Sequence, residues 1–222
     1  SFSSNHRLLA ALNKLCRNNK ILPDKKVVSI LSGREGVDGQ VLVVKIDDTN
    51  MAHPQIGLED ADVVYIEQVE GGLTRLAAVF SSTIPARIGP VRSARISDID
   101  IMSQYGRVAF AYSGAQRKLL PVISAANLED LGAQHESSKI YTTDPNRIQP
   151  YAMVLRADLL MQKIVDENLR VDSAKSVGFV FGDNPEGGVP TQEVVINWPA
   201  ATYIAEWSES ESRWLLSHNG RL

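Results

Sequence analysis

Glutamates, glycines and arginines concentrate between residues 67 and 97, and this part of the sequence is the best suited to chemistry. Two segments stand out, Glu70-Gly71-Gly72-Leu73-Thr74-Arg75 and Ile88-Gly89-Pro90-Val91-Arg92-Ser93-Ala94-Arg95. Guanidinium groups bind carboxylates and phosphates through paired N–H donors, and free backbone N–H groups at a helix start also favour anions. We therefore predict an anion-binding site here. Its candidate residues are Arg75, Arg92, Arg95, Thr74 and Ser97.

Two other roles for these charges remain open. The arginines have acidic neighbours in Glu67, Glu70 and Asp98, and internal ion pairs would fix the loop without any ligand. Alternatively, Glu67 or Glu70 acts as a general base, and the arginines stabilise negative charge that develops during a reaction. The sequence alone does not choose between binding, catalysis and structure.

The double glycine predicts a hairpin. The apolar runs 62–69 and 73–80 are typical of strands, and a two-residue turn at Gly71-Gly72 needs the positive φ that glycine adopts. In that register Glu70 and Arg75 are diagonal neighbours on one face, close enough for an ion pair. Glu67 then lies among apolar side chains, where burial raises its pKa unless Arg92 or Arg95 reaches it. A different turn length would move Glu67 to the solvated face.

Composition excludes several classes of protein. The chain has 222 residues, 44% hydrophobic and 22% charged, with a net charge of −3, as expected for soluble globular domains. This charge argues against nucleic acid as a partner. No apolar run approaches the roughly 20 residues that a membrane span needs. A single cysteine, Cys16, excludes an internal disulfide and a multi-cysteine metal site, and we expect neither metal nor cofactor.

Four further polar residues are predicted to be structural. Asp47 and Asp48 close a strand and are expected to form a solvated turn rather than a metal site. His53 precedes a proline, which favours extended backbone over a helical metal motif, although a ligand or base role remains an alternative. Ser113 follows a buried strand but lacks the leading glycine of a nucleophile elbow.

The pattern of elements predicts a mixed α/β fold, with a layered mixed β-sheet core and covering helices, followed by a smaller antiparallel β-rich lobe. The run Val41–Ile46 is apolar on both faces and is expected to be a central strand. Leucines at helical spacing predict an amphipathic helix within residues 7–20. The predicted domains are an N-terminal helix and lead-in (1–40), an α/β domain (41–172) and an incomplete β-rich lobe (173–222).

Smaller elements follow from local patterns. Ser97 and Asp98 suit the start of a helix that runs to about residue 105, and the other predicted helices cover 115–126 and 158–168. In the lobe, four strands of an antiparallel meander are predicted. In that meander Trp207 and Trp214 face each other, and core packing explains them better than a sugar platform. The predicted lobe strands are 177–181, 193–197, 202–207 and 213–217.

Five motifs occur in a fixed order: Val44-Lys-Ile-Asp47, Pro54-Gln-x-Gly-Leu58, Ala61-Asp62-Val-Val-Tyr65, Glu70-Gly-Gly-x-Thr-Arg75 and Ile88-Gly-Pro-Val-Arg-Ser-Ala-Arg95. In this order they resemble the YerB-like bacterial lipoproteins, a family defined by a domain of unknown function. The resemblance covers roughly residues 41–169 and, more weakly, the C-terminal residues. It implies a mixed α/β fold with a smaller β-rich C-terminal part. It also implies export and anchoring at the cytoplasmic membrane through a lipidated N-terminal cysteine that this sequence does not contain.

One departure from that family pattern bears on function. The family carries Pro-His-Asn-Leu-Tyr where this chain reads Pro150-Tyr151-Ala152-Met153-Val154, and the replaced histidine and asparagine are groups suited to proton transfer. We therefore predict an extracytoplasmic binding or scaffold protein of the cell envelope that holds an anionic small molecule or acidic peptide. The alternative is a hydrolase or transferase of envelope metabolism with Glu67 or Glu70 as base.

Overall fold

The computed structural model describes residues 26–182 and 186–220, so the predicted N-terminal helix and Cys16 lie outside the described residues. Within these ranges there are eleven strands and three α-helices. The strands are β1 (Leu42–Asp47), β2 (Val63–Gln68), β3 (Thr74–Phe80), β4 (Arg87–Ile88), β5 (Val108–Ala111), β6 (Leu128–Asp130), β7 (Tyr141–Thr143), β8 (Met153–Arg156), β9 (Glu193–Trp198), β10 (Ala201–Ser208) and β11 (Arg213–His218). The helices are α1 (Ser97–Ser103), α2 (Leu120–Ala125) and α3 (Ala157–Asp166).

A mixed five-stranded sheet of order β2-β3-β1-β5-β6 forms the core. β1 pairs antiparallel with β3 and parallel with β5, and all six of its residues are buried. The prediction of a central strand is therefore confirmed. It holds because a strand covered on both faces needs apolar side chains at successive positions, not only at alternate ones.

The two faces of this sheet bury two separate hydrophobic clusters. Leu42 and Val44 point into one cluster, which the three-stranded sheet β4-β8-β7 and helix α3 cover. Val41 and Val43 point into the other, beneath α1 and α2. This alternation follows the two-residue period of a strand. The predicted class, a layered mixed sheet with covering helices, is confirmed.

The C-terminal residues form a separate antiparallel sheet of order β11-β10-β9. Three of the four predicted lobe strands are present, whereas residues 177–181 form no strand. Trp207 and Trp214 are paired as predicted, with ring centroids 5.8 Å apart. Their exposed fractions are 42% and 44%, so core packing does not explain them. The predicted domain boundaries remain predictions.

The predicted hairpin forms, but its register is wrong by one residue. Glu67 pairs with Arg75 and Gln68 with Thr74, because Glu70–Gly72 is a three-residue 3-10 turn. This register places Glu67, Arg75 and Lys45 on the α1 face of the sheet. Both glycines have positive φ, as the two-residue turn also required, so the glycine pair did not distinguish the two turn lengths.

Other boundaries differ slightly from prediction. Helix α1 ends at Ser103, and α2 begins only at Leu120, with Pro121 in its first turn, where a missing N–H is tolerated. Helix α3 lies within a residue or two of the predicted ends. No helix in the described ranges combines the length and apolar character needed to cross a bilayer.

Candidate functional site

A buried lysine organises the charges beneath α1. Lys45 on β1 has no exposed surface, and its Nζ lies 2.7 Å from Asp98 Oδ1 and also contacts Glu67 Oε1. Ser97 Oγ donates to the other oxygen of Glu67. The cation that reaches Glu67 is therefore Lys45, and not Arg92 or Arg95 as predicted. The sequence held a signal, because a lysine within a buried strand needs an acidic partner.

Asp98 occupies the start of α1, where the sequence predicted an external anion. Its Oδ2 accepts a hydrogen bond of 2.6 Å from the backbone N–H of Arg95. Burial raises the pKa of Asp98 to about 6, and Glu67 adds to this rise while Lys45 opposes it. Lys45 therefore pairs with both Glu67 and Asp98, and Ser97 donates to Glu67, which is the structural role that the sequence left open.

The three arginines converge beside this cluster, as predicted. Arg75 and Arg95 each donate to the carbonyl oxygen of Ser93, at 3.1 and 3.2 Å. Arg95 pairs with Glu70 at 2.6 Å, so the predicted ion pair of Glu70 with Arg75 is wrong. Arg92 Nε lies 2.6 Å from Asp47 Oδ2. Two of the three guanidinium groups are thus matched by a carboxylate.

Arg75 carries the third guanidinium group, and it makes no direct ion pair within the described residues. Asp47 and Glu70 are nevertheless near enough to act on it through space. Burial lowers the pKa of Arg75 to about 10, and repulsion from Arg95 and Arg92 contributes to this fall. An anion bound here would relieve both effects.

A second polar cluster lies on the opposite face of the sheet, around Asp48. This carboxylate is 2% exposed, and its Oδ2 accepts hydrogen bonds from the hydroxyls of Thr74, at 2.5 Å, and Tyr203. Thr74 therefore belongs to this cluster and not to the arginines. Asp47 does form a turn as predicted, since its Oδ1 accepts a hydrogen bond of 2.8 Å from the backbone N–H of Thr49. The prediction that Asp47 and Asp48 are solvated is wrong, because both are buried.

Two histidines complete the second cluster. His53 Nε2 lies 3.3 Å from Asp48 Oδ1, and His218 Nε2 lies 3.9 Å from Asp48 Oδ2. The two imidazole rings stack, with centroids 4.6 Å apart and planes 5° from parallel. The side chain of Gln55 lies 3.3 Å from both Asp48 Oδ1 and His53 Nε2.

This cluster forms the polar end of a pocket of about 710 Å³ between the core sheet and the C-terminal lobe. The pocket wall is mainly apolar, and its lining residues contain neither lysine nor arginine. The lining comprises Asp48, His53, Pro54, Gln55, Leu58, Glu59, Val64, Ile66, Leu76, Tyr203, Leu216 and His218.

Sequence reasoning missed this pocket for a definite reason. His53 has no other histidine near it in the sequence, and Tyr203 and His218 come from β10 and β11, far along the chain. No spacing rule connects such positions. The available signal was the motif Pro54-Gln-x-Gly-Leu58, which contributes three of the lining residues.

The chain is similar to proteins of a known family. The model of a protein of unknown function (DUF3048), N-terminal domain, matches residues 31–170, more than half of the chain. The chain belongs to this family. A Bacillus subtilis (strain 168) protein named "Putative lipoprotein YerB" is 36% identical over 86 residues, which cover 36% of this chain and 26% of that protein. The resemblance to YerB-like proteins is thereby confirmed.

The crystal structure of YerB protein from Bacillus subtilis is similar in fold. It superimposes with a TM-score of 0.72 at 19% identity, over 88% of this chain and 68% of that chain. At this identity the similarity concerns the fold alone. The curated relative is matched over about a quarter of its length, and its name assigns no reaction.

Proposed function

We propose that this protein is a non-catalytic binding protein of the cell envelope that holds an amphiphilic small molecule in the pocket around Asp48. The pocket itself is the observation that carries this proposal. Its volume of about 710 Å³ lies within the roughly 300–1,000 Å³ typical of ligand sites, which combine apolar walls with a few convergent polar groups.

The lining favours a particular ligand chemistry. Leu58, Ile66 and Leu76 supply an apolar wall, while Asp48 at one end accepts hydrogen bonds from Thr74 and Tyr203. A head group that donates hydrogen bonds, neutral or cationic, suits this acidic end, because no basic lysine or arginine lines the pocket.

The name of the Bacillus subtilis relative, "Putative lipoprotein YerB", supports an extracytoplasmic location at the membrane surface. A lipoprotein is held at a membrane surface by a lipidated cysteine, and a protein 36% identical over 86 residues carries the word lipoprotein in its name. We infer the same extracytoplasmic anchoring here, through a lipidated cysteine. In this arrangement the protein meets the membrane only through its lipid.

The charges beneath α1 favour binding over catalysis. Both carboxylate oxygens of Glu67 are engaged, one by Lys45 and one by Ser97. The hydrogen bonds from Arg95 lower the pKa of Glu70, which weakens it as a base. Neither candidate base of the alternative hydrolase or transferase is therefore well placed to remove a proton.

Blocking the pocket tests the proposal. Leu216 lines it and is half exposed, so Leu216→Trp fills the space with little effect on the core. In the presence of a chelator, we expect a dansyl-labelled alkylammonium probe to bind the wild-type chain and to bind Leu216→Trp at least about tenfold more weakly. The control is Leu159→Trp on α3, which lies outside the pocket. Equal affinities for the two variants would contradict the proposal.

The Arg75 guanidinium, which has no carboxylate within salt-bridge distance among the described residues, favours a second candidate function, the binding of an anionic group such as a phosphate or a peptide carboxylate. We expect inorganic phosphate or an acidic peptide to raise the melting temperature of the wild-type chain and to have no effect on Arg75→Met. The control is Arg117→Met, which removes an exposed arginine elsewhere. A melting-temperature rise that persists in Arg75→Met would rule out this anion site.

A further inference from the structure

The side chains of Asp48, His53 and His218 bring three metal-ligating groups together. One potential ligand atom from each residue lies within 4.8 Å of the other two. Within residues 26–182 and 186–220, no other three histidine, cysteine or acidic side chains converge in this way. We propose that these three residues bind a divalent transition-metal ion of the zinc class.

The donor set selects the type of metal. Two imidazoles and one carboxylate are typical ligands of zinc, whereas magnesium and calcium prefer sites built from oxygen alone. Zinc bonds of about 2.1 Å in a tetrahedron separate ligand atoms by roughly 3.4 Å. His53 Nε2 lies 3.3 Å from Oδ1 of Asp48 and His218 Nε2 lies 3.9 Å from Oδ2, so both distances are near this value but involve different oxygens of the carboxylate. Because the two imidazole planes are stacked 5° from parallel, a rotation of one ring is needed to direct both nitrogen lone pairs at one ion.

The surroundings hold the carboxylate in place for this role. The hydroxyls of Thr74 and Tyr203 both donate to Oδ2 of Asp48, whereas Oδ1 lies beside His53 and accepts a hydrogen bond of 3.3 Å from the side-chain amide of Gln55. Hydrogen bonds of this kind fix the orientation of a ligating carboxylate and raise metal affinity. A cation bound at Oδ1 would displace the amide of Gln55, which could then contact a fourth ligand.

The pocket supplies an open coordination position. His53 and Asp48 lie at its polar end, so a water molecule or a donor atom of a ligand can reach a cation bound there. A site with three protein ligands and one exchangeable position is the arrangement of zinc centres that bind external groups. The ion and the proposed head group use the same polar end of the pocket and therefore compete for Asp48, whereas the apolar part of the pocket does not affect the metal site.

Such a cation also joins the two parts of the fold. Asp48 and His53 flank the end of β1 in the core, whereas His218 ends β11 in the C-terminal lobe. A metal bound by all three residues therefore links the lobe to the core. We expect zinc to raise the melting temperature of the chain, because a ligand that binds the folded state stabilises it.

Zinc titration of the chelator-treated full chain, followed by calorimetry, tests the assignment. We expect one ion per chain in the wild type and at least a tenfold loss of affinity in His53→Gln, whose side chain is partly exposed and so tolerates exchange. Asp48→Asn provides a second variant with similar shape. Tyr203→Phe should weaken zinc binding by about 10–100-fold, as for other groups that orient a ligand.

His135→Ala is the matched control, because His135 also faces an aspartate, Asp130, at 3.3 Å but lies outside the proposed site. We expect zinc affinity and the zinc-induced rise in melting temperature to be unchanged in this variant. The proposal is overturned if His53→Gln binds zinc as tightly as the wild type does, or if His135→Ala loses as much affinity. Because the alkylammonium probe is measured in chelator, its result distinguishes failure of the metal site from failure of the pocket.

Discussion

Asp47 and Asp48 are consecutive, yet their carboxylates serve opposite faces of the central sheet. Asp47 contacts Arg92 on the face covered by α1, and Asp48 accepts a hydrogen bond from Tyr203 of the C-terminal lobe on the other. The alternation of side chains along β1 produces this division. One strand end therefore positions both the arginine cluster and the polar end of the pocket.

The hydroxyl of Tyr203 is expected to contribute to the docking of the lobe. Tyr203→Phe removes its hydrogen bond to Asp48 while keeping the ring, so the free energy of unfolding should fall by about 1–3 kcal/mol. Urea denaturation in the presence of a chelator measures this without any contribution from metal. Tyr151→Phe, in which no described hydrogen bond is lost, should change stability by less than about 0.5 kcal/mol. Equal losses in both variants would exclude a specific role for the bond.

Lys45 is predicted to be essential for folding stability. Lys45→Met leaves Glu67 and Asp98 buried without their cation, and breaking a buried ion pair from one side costs about 3–5 kcal/mol. Urea denaturation of the variant should show this loss. The control Lys118→Met, at an exposed position, should remain close to the wild type. A Lys45→Met variant of unchanged stability would show that the buried carboxylates are neutral in the folded chain.

Asp98 should make part of the stability depend on pH. Its folded pKa is raised from 3.8 to about 6, so between these values the folded state binds the proton that the unfolded state has lost. The contribution of Asp98 is therefore most favourable below about pH 4, and it is lost as the pH rises through 6. Asp98→Asn should remove this decrease in the free energy of unfolding with rising pH.

The measurement is the difference in unfolding free energy between the wild type and Asp98→Asn at several pH values from 4 to 8. Taking the difference removes the opposite trend from groups of lowered pKa, such as Asp62. Asp100→Asn, also in the first turn of α1, is the control. Parallel curves for the wild type and Asp98→Asn would disprove the assignment.

The core of this fold could be predicted from sequence because its signals are local. The apolar run of β1 indicated a central strand, and the short strands near the C-terminus indicated an antiparallel lobe. The convergence of Arg75, Arg92 and Arg95 was also predictable, since the arginines flank a hairpin and a nearby helix start. Each of these inferences used neighbouring residues or a simple period.

The ion-pair partners and the pocket could not be predicted in the same way. A one-residue change of register in the hairpin exchanges every cross-strand partner, and the glycine pair permitted either register. The cluster of Asp48, His53 and His218 depends on how the lobe packs against the end of β1. That packing is a property of the tertiary structure, and no sequence period encodes it.

The two glycines of the hairpin turn are expected to differ in their tolerance of substitution. Both have φ near +70°, so alanine should cost each about 1–2 kcal/mol through backbone strain. A Cβ at Gly71 meets open space, whereas at Gly72 it would lie 2.7 Å from Cβ of Pro199. Gly72→Ala should therefore cost a further 1–3 kcal/mol or so through overpacking.

This prediction also tests the contact between the turn and the lobe. The carbonyl of Gly72 accepts a hydrogen bond of 3.1 Å from the backbone N–H of Ala200, and displacement of Pro199 would disturb it. Hydrogen exchange should then reveal faster exchange of the Ala200 amide in Gly72→Ala but not in Gly71→Ala. Urea denaturation gives the two free energies. Only Gly72 faces the lobe. If both variants lose the same stability and show the same exchange rate for the Ala200 amide, the lobe does not pack on the turn as described.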